Sequence, residues 1–436
     1  MVSSSLQITG LPYFPGISVG KLTKDFGSDT TDQIPLITQD KVSLINTVPA
    51  GIIVVDAMPI SHTMIGLLGL GVPMVLVNTE QAALLEPGML LAIDGSRGLF
   101  TEEVNTLTTV EAVTDDLEPG MPVLMSDCEP VNLLASVRQP SAAKQAKLLG
   151  AEAIGLVRTE FILPDNNRLP DKAFYLQNFR ELCEAASPLT VTFRLLDVAA
   201  DKMPGWLADI GYGVHVLGLQ GVRLYHLEPV RRVITAQLSA LAELSNDFSF
   251  RQLVPFLARL EEYDYWLEFV HQYLTESIPV GAMAETPSLV LDIASLLEDA
   301  DFIAIGCNDL MQNIYASDRD HAGLQYYLDP YAPLLFRLFR QVADATGKRL
   351  HRIQLCGVLS QMPGVLPVLL GLGFRSFSVD APFIPYLANR VSRLSTAECE
   401  TLAKQVCEVK TTLEVLTILQ LPGHRHQPFW FLNKSE

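Results

Sequence analysis

The chain has 436 residues, of which 49% are hydrophobic, and it carries a formal net charge of −18. This length allows two or three domains with sizeable cores, and the apolar content excludes a largely disordered chain. The acidic balance argues against broad binding to nucleic acids or to anionic membranes. No uninterrupted run of about 18 apolar residues occurs, so we expect no membrane span.

The cysteines and the N-terminus indicate the cellular compartment. The six cysteines are scattered and show no Cys-x-x-Cys spacing, which is typical of reduced thiols in a cytosolic protein. The first residues lack a basic segment followed by an apolar core, so we expect no signal peptide. We therefore predict a cytoplasmic protein.

Residues 1–109 predict a small α/β domain. Three short apolar runs read as buried strands, at residues 51–55, 74–77 and 89–93. A helical pattern at residues 63–70 follows the first run, and His62 stands directly before it. The free N–H groups of a helix N-terminus suit a phosphorylated side chain, although an ordinary capping or surface residue is also common there.

An acidic stretch that ends in Pro-Gly, residues 110–120, predicts a linker to a second domain at residues 121–436. In this domain apolar runs alternate with helical patterns. Eight runs read as strands, at residues 122–125, 153–157, 189–196, 252–256, 278–284, 302–305, 352–356 and 376–379. Eight strands with intervening helices predict a closed (β/α)8 barrel, whose sites lie at the C-terminal ends of the strands.

Two acidic residues follow neighbouring strands of this predicted barrel. Glu285 comes directly after the fifth strand, and Asp309 comes just after the sixth. Because parallel strands joined by a helix end at the same edge of the sheet, the two carboxylates can converge on one hard cation such as Mg²⁺. The alternative is that Glu285 is an acid at a helix N-terminus and Asp309 a turn residue.

Arginines and a thiol occupy other strand ends at the same rim. Arg158 follows the second strand, Arg194 lies in the third, Arg319 lies beyond the sixth, and Cys356 ends the seventh. Together they predict an anion site beside the metal site. The alternatives are that Arg158 forms a weak surface pair with Glu160, and that Cys356 is an inert buried cysteine.

Several segments resemble motifs of the phosphoenolpyruvate-utilising enzymes, in particular enzyme I of the bacterial phosphotransferase system. In the second domain they are GAEAIGLVRTEF at residues 150–161, RLLDVAADK at 194–202, ETP at 285–287, IGCNDLMQ at 305–312, DR at 318–319 and CG at 356–357. In the first domain FPGI at residues 14–17, SH at 61–62, GVP at 71–73 and DG at 94–95 resemble the family's phosphohistidine domain.

The resemblance implies a swivelling phosphohistidine α/β domain followed by a phosphoenolpyruvate-binding barrel. It also implies a homodimer, phosphoenolpyruvate and pyruvate as ligands, and a protein as a phosphoryl acceptor. Arginines and a metal supply the charge neutralisation that phosphoryl transfer needs, and a thiol can protonate an enolate. The implied roles are substrate binding by Arg158, Arg194, Asn308 and Arg319, binding of Mg²⁺ or Mn²⁺ by Glu285 and Asp309, proton donation by Cys356, and phosphoryl acceptance by His62.

The chain departs from the family's pattern at several positions. Leu68 stands where the family has an arginine six residues after the histidine, and Gln220 replaces an anion-binding arginine. Val358 replaces the glutamate of the CGE motif, and the glycines before His62 are missing. The inserted helical domain with which enzyme I binds the phosphocarrier HPr is also not found.

Three functions are therefore open. The first is a phosphotransferase that moves phosphate from phosphoenolpyruvate to His62 and on to an acceptor. The second is a weakly active or inactive phosphoenolpyruvate-binding protein with a regulatory role, which Leu68 and Gln220 favour. The third is a barrel that acts directly on a 2-oxo acid or enolate. The intact His62, Cys356 and acidic pair favour the first.

Overall fold

The structure is a computed structural model that describes residues 6–24, 30–57, 59–104, 117–164, 168–198, 203–208, 218–321, 324 and 327–421, without the side chain of His62. The chain forms two sheets, one in each predicted domain. Most of the predicted linker, residues 110–116, lies outside the described residues, so the domain boundary stays a prediction.

The first sheet has eight strands in the described part of the chain, in the order β1-β8-β7-β3-β4-β5-β6-β2. The strands are β1 (Gln7–Thr9), β2 (Leu11–Phe14), β3 (Ile17–Thr23), β4 (Gln33–Thr38), β5 (Ile52–Val55), β6 (Met74–Val77), β7 (Leu90–Asp94) and β8 (Leu99–Thr101). Two short helices accompany it, α1 (His62–Leu68) and α2 (Thr79–Ala82). The three strands expected in this domain are present among them.

Helix α1 begins at His62 because Ser61 caps it. The Ser61 hydroxyl accepts a hydrogen bond from the Met64 N–H at 3.3 Å, which satisfies one of the free donors of the first turn. The helix buries Met64, Ile65 and Leu68. An α/β domain therefore precedes the barrel, as the sequence predicts.

The second sheet contains eight parallel strands that close on themselves. They are β10 (Pro130–Val137), β11 (Ile154–Arg158), β12 (Val191–Arg194), β13 (Phe250–Leu257), β14 (Val280–Ala284), β15 (Phe302–Gly306), β16 (Ile353–Cys356) and β17 (Ser376–Asp380). Strand β10 pairs in parallel with both β11 and β17, which closes the barrel. The predicted (β/α)8 barrel is confirmed.

The assignment of the first barrel strand was wrong. The run at residues 122–125 contributes only β9 (Val123–Leu124), which pairs antiparallel with β10 outside the parallel ring. The chain turns back at Cys128, whose φ is +69°, and the next run forms the barrel strand. Both runs are apolar, and only their pairing distinguishes them.

Helices alternate with the barrel strands along the chain. Their bounds are α3 (Pro140–Leu148), α4 (Lys172–Ala186), α5 (Gly205–Ala208), α6 (Glu228–Leu244), α7 (Leu260–His271), α8 (Pro287–Leu291), α9 (Ile293–Asp299), α10 (Cys307–Tyr315), α11 (Pro333–Thr346), α12 (Val365–Gly371), α13 (Ile384–Ser392), α14 (Thr396–Glu408) and α15 (Thr412–Ile418). In the described residues, none of these is both long and apolar enough to cross a membrane.

The first domain packs against the barrel beside the end of β17. The ring of Phe14 lies edge-on to that of Phe383, with centroids 4.5 Å apart, and both side chains are buried. Phe14 also contacts Tyr386 of α13 at 6.0 Å between ring centroids. Ile65 of helix α1 lines a cavity at the C-terminal ends of the barrel strands, which we call the mouth of the barrel. The packing of the first domain therefore places helix α1 at this mouth.

Candidate active site at the barrel mouth

A narrow cavity of about 30 Å³ lies at the C-terminal ends of the barrel strands. The polar side chains that line it are those of Ser136, Arg158, Arg194, Asn308, Asp309, Cys356, Gln361, Ser378 and Asp380. Five of the predicted site residues of the barrel thus line one cavity, although they lie up to 198 positions apart, from Arg158 to Cys356. Glu285 and Arg319 do not line it but adjoin its wall at Gly306 and Asp309.

Arg194 is the most tightly held cation of the site. Its side chain is 4% exposed, and it forms 2.7 Å salt bridges from Nη2 to Glu160 Oε1 and from Nη1 to Asp197 Oδ2. Burial alone would lower the pKa of Arg194, but Asp197 and Glu160 raise it above its usual value. The guanidinium therefore stays charged and fixed in orientation, as an anion-binding group must be.

Arg158 lies beside Arg194 but has weaker protein partners. Its Nε stands 3.9 Å from Glu160 Oε1, and its side chain is 15% exposed. Burial lowers the pKa of Arg158, Glu160 raises it, and the neighbouring Arg194 lowers it. The alternative of a weak surface pair between Arg158 and Glu160 does not describe the contact, because Glu160 is 5% exposed and bonds more closely to Arg194.

Glu285 and Asp309 stand at the ends of β14 and β15, as the sequence predicts. Glu285 is 1% exposed, and its Oε1 accepts a hydrogen bond from the Phe256 N–H at 3.2 Å. Burial, the charge of Asp309 and the charge of Asp197 raise the pKa of Glu285 well above its usual value, against the opposing effect of Arg194. A divalent cation held by Glu285 and Asp309 would offset this repulsion, and carboxylate oxygens are ligands that suit Mg²⁺.

Arg319 binds the second of these carboxylates. Its side-chain Nη2 lies 3.2 Å from Asp309 Oδ1, and its backbone N–H donates a hydrogen bond to Gln312 Oε1 at 3.0 Å. Arg319 is 3% exposed and comes from the segment after α10. The salt bridge with Asp309 therefore holds Arg319 at the mouth. The position of Arg319 along the chain does not by itself require this placement.

Asn308 and Gly357 fit each other closely. The Val358 N–H donates to Asn308 Oδ1 at 3.1 Å, which fixes the orientation of the buried amide. A Cβ at Gly357 would lie 2.7 Å from that same oxygen, and Gly357 has φ +102°. Glycine is therefore required here both for its backbone conformation and for the close approach.

Cys356 faces the cavity from the end of β16. It is 2% exposed, and its Sγ accepts a hydrogen bond from Gln354 Nε2 at 3.4 Å. Burial raises the pKa of Cys356 to about 11, although hydrogen bonds from Gln354 and Ser378 oppose this. At neutral pH the group is a thiol, which suits a proton donor better than a nucleophile.

The positions where the chain departs from the family lie in or near the core. Leu68 and Val358 are each 1% exposed, and Gln220 is 6% exposed. Val358 lines the cavity itself. His62 is the first residue of α1 and lies one helical turn before Ile65 in the chain.

Asp380 is a site residue that the sequence analysis missed. It ends β17, lines the cavity, and accepts a hydrogen bond from Gln361 Nε2 at 3.3 Å. Burial raises the pKa of Asp380, while Arg138 and Arg158 lower it. Its position directly after an apolar run, which also identified Glu285, was the available signal.

Comparison with known proteins agrees with this geometry. Residues 115–396 match the sequence model of the family described as "PEP-utilising enzyme, PEP-binding domain". The chain is 30% identical over 395 residues to the phosphoenolpyruvate-protein phosphotransferase of Streptomyces coelicolor, covering 88% of this chain and 70% of that protein.

Two further relatives match over different shares of their length. The phosphoenolpyruvate-protein phosphotransferase of Bacillus subtilis is 27% identical over 382 residues, which cover 83% of this chain and 66% of that protein. Multiphosphoryl transfer protein 2 of Escherichia coli is 31% identical over 300 residues, 66% of this chain but only 36% of that protein. The chain thus spans only part of these relatives. Because the family's phosphoenolpyruvate-binding domain covers more than half of it, the chain belongs to the phosphoenolpyruvate-utilising enzymes.

Proposed function

We propose that the protein transfers the phosphoryl group of phosphoenolpyruvate to His62, releases pyruvate, and passes the phosphoryl group to a protein acceptor. The single observation that supports this most is the barrel mouth. Two arginines, Asp309 and a protonated thiol line the cavity there, beneath the helix that begins at His62, and Glu285 lies against Gly306 of the cavity wall. Such an arrangement neutralises a phosphate, holds a divalent cation and supplies a proton.

The binding steps in this proposal belong to the arginines. Arg158 and Arg194 hold the phosphate and carboxylate of the substrate, with Arg319 and Asn308 completing the shell. Glu160 and Asp197 keep Arg194 charged and oriented, so they act as positioning residues. Glu285 and Asp309 would hold Mg²⁺ or Mn²⁺, which supplies charge neutralisation at the phosphoryl group when bound.

The chemical step divides between His62 and Cys356. A ring nitrogen of His62 forms a bond to phosphorus while the bond between phosphorus and the enolate oxygen breaks. The enolate then takes a proton from Cys356 Sγ at its terminal carbon and leaves as pyruvate. The resulting thiolate recovers a proton from solvent. The high pKa of Cys356 ensures that the thiol carries the proton before the step.

The acceptor is proposed from the names of the relatives, and the assembly from the family resemblance of the sequence. Two relatives are phosphotransferases whose names specify a protein as acceptor, so we propose a phosphocarrier protein for this chain. We also propose a homodimer, and a cytoplasmic location that is in keeping with six free cysteines.

The experiment that tests the proposal is mass spectrometry of the intact protein after incubation with phosphoenolpyruvate and Mg²⁺. We expect an adduct of one phosphoryl group that is acid-labile and is lost in His62→Ala. Pyruvate should appear in equal amount in the same sample. A protein that binds phosphoenolpyruvate but never forms the adduct contradicts the proposal.

The second function, a phosphoenolpyruvate-binding protein without turnover, has its own supporting observation. Leu68 is buried and Ile65 lines the narrow cavity, so the helix offers apolar contacts where the family offers an arginine. Calorimetry separates the two functions. Tight binding that does not change in His62→Ala, with no adduct in the wild type, favours the binding protein.

A further inference from the structure

The barrel has a second and larger cavity at the end opposite the mouth. It has a volume of about 600 Å³ and is lined by the first residues of several strands, including Asn132, Arg251, Phe302 and Ser376. We call it the basal cavity. Its volume lies within the range of about 300–1,000 Å³ that is typical of small-molecule sites. No residue of the proposed active site lines it.

Arg251 is the central cation of the basal cavity, and all its described partners are neutral. Its Nε and Nη2 donate to Thr192 Oγ1 at 3.1 and 2.9 Å, and Nη2 also donates to Gln354 Oε1 at 3.3 Å. The guanidinium lies 4.4 Å above the ring of Phe302. Within the described part of the chain it forms no salt bridge. A half-buried guanidinium without an acidic partner is suited to bind a carboxylate or a phosphate.

Glu152 supplies the opposite charge on the same wall. Among the described residues, its Oε2 is buried and has no hydrogen-bond partner. Burial raises the pKa of Glu152, and the charge of Arg251 lowers it, so the two groups interact through space without direct contact. A half-buried carboxylate and a guanidinium that face one cavity without a salt bridge between them can each bind a ligand group of opposite charge.

The other cation of the wall is already engaged. Arg352 donates from Nε to Asp301 O at 2.9 Å and from Nη1 to Leu297 O at 3.1 Å, which caps the end of helix α9. Asn132 and Ser376 bond to each other at 3.1 Å and leave neutral polar atoms on the wall. His351, which also lines the cavity, bonds through Nδ1 to Lys348 O at 2.7 Å. Among the described lining residues, Arg251 and Glu152 are therefore the charged groups that are open to a ligand.

We propose that the basal cavity binds a small zwitterion of the α-amino acid class, with its carboxylate on Arg251 and its ammonium on Glu152. Such a ligand places a directly bonded group of opposite charge against each of the two side chains at once. A simple anion would pair with Arg251 but would face the carboxylate of Glu152, and a simple amine would face the guanidinium. The neutral wall and the cavity volume leave room for the ligand's side chain. This proposal does not depend on the proposed function of the mouth.

The test is calorimetry on the full chain with the common L-amino acids, each measured with and without saturating phosphoenolpyruvate and Mg²⁺. For the best ligand, two analogues are added, the acid that lacks the amino group and the amine that lacks the carboxylate. Inorganic phosphate tests a plain anion site. We expect one or more amino acids to bind in both conditions, and each analogue to bind about tenfold more weakly or worse.

Two variants locate the site. Arg251→Gln keeps a donor for Thr192, and Glu152→Gln changes only the charge of a half-buried side chain. Each should weaken amino-acid binding about tenfold or more, while binding of phosphoenolpyruvate at the mouth stays unchanged. If Arg251→Gln does not fold, as judged by its thermal midpoint, Glu152→Gln carries the test.

Three results would overturn the proposal. The first is that no amino acid binds. The second is that binding is unaffected by Glu152→Gln or is displaced by phosphoenolpyruvate. The third is that the acid lacking an amino group, or phosphate, binds as well as the amino acid, which identifies a plain anion site.

Discussion

The backbone N–H of Phe256 donates a hydrogen bond of 3.2 Å to Oε1 of Glu285. Phe256 has φ +48°, an uncommon conformation for a residue with a side chain, and it lies at an irregularity in the pairing of β13 with β14. Such a conformation costs about 1–3 kcal/mol and persists where the surrounding structure enforces it. Here it directs an N–H towards the buried carboxylate that we propose as a metal ligand.

Gly306 fixes the same carboxylate from the other side. A Cβ at Gly306 would lie 2.7 Å from Glu285 Cγ and Oε2, and its backbone conformation is ordinary. We therefore predict that Gly306→Ala displaces Glu285 and weakens Mg²⁺-dependent binding of phosphoenolpyruvate about tenfold or more. Calorimetry measures this. Gly69→Ala is the matched control, because its Cβ meets only one atom, at 3.5 Å. Equal binding by the two variants would contradict the metal assignment.

Glu285 should make stability depend on pH and on metal. Because its folded-state pKa lies above its unfolded value, its favourable contribution is present at low pH and is lost as the pH rises through the folded-state pKa. Glu285→Gln stays neutral, so without metal we expect it to unfold at a higher temperature than the wild type at neutral pH. The difference should vanish below about pH 4, near the unfolded pKa.

Added Mg²⁺ should make the wild type unfold at a higher temperature than Glu285→Gln. A cation at about 100 times its dissociation constant stabilises the wild type by about 2.7 kcal/mol, and it should not stabilise Glu285→Gln. Thermal denaturation with and without Mg²⁺ measures both effects. An equal shift of the two proteins would show that Glu285 is no ligand.

Cys356 should act in turnover and not in binding. We predict that Cys356→Ala lowers the rate of pyruvate formation by about 10²–10⁴, because general acid catalysis contributes that much, while the affinity for phosphoenolpyruvate changes little. Cys407→Ala, at a buried cysteine in α14, is the control. Unchanged turnover in Cys356→Ala would make the thiol structural.

The titration of the same thiol gives an independent readout. The difference in ultraviolet thiolate absorbance between the wild type and Cys356→Ala should rise with a midpoint at about pH 11. An unperturbed cysteine titrates near ~8.5. A midpoint near the unperturbed value would show that the thiol is solvated and would remove the argument for a protonated donor.

Leu68 tests whether the family's missing arginine can be restored. The side chain is 1% exposed within the apolar core, so we predict that Leu68→Arg destabilises the fold by about 3–5 kcal/mol and does not speed phosphorylation. Leu68→Met, which keeps the volume, should cost less than about 1.5 kcal/mol. Chemical denaturation measures both. A stable Leu68→Arg with faster labelling of His62 would mean that helix α1 leaves the mouth readily.

The sequence determined most of the barrel and the placing of its polar residues. Apolar runs followed by Glu285 and Asp309, or ending on Cys356, predicted strand ends correctly, because parallel strands covered on both faces are mostly apolar along their length and barrel sites lie at their C-terminal ends. The same criterion, applied to the run at residues 376–379, would have identified Asp380. Pattern and position along the chain were sufficient for these residues.

Only the tertiary structure decided which residues pair and how much solvent reaches them. The apolar runs at residues 122–125 and 130–137 look alike, and the second enters the barrel because β11 and β17 accept it on both sides. Glu160 lies near Arg158 in sequence but bonds most closely to Arg194, and Arg251 lies far from Glu152 in sequence but shares a cavity with it. Pairing and burial depend on distances between side chains of separate strands, and closure of the barrel determines these distances.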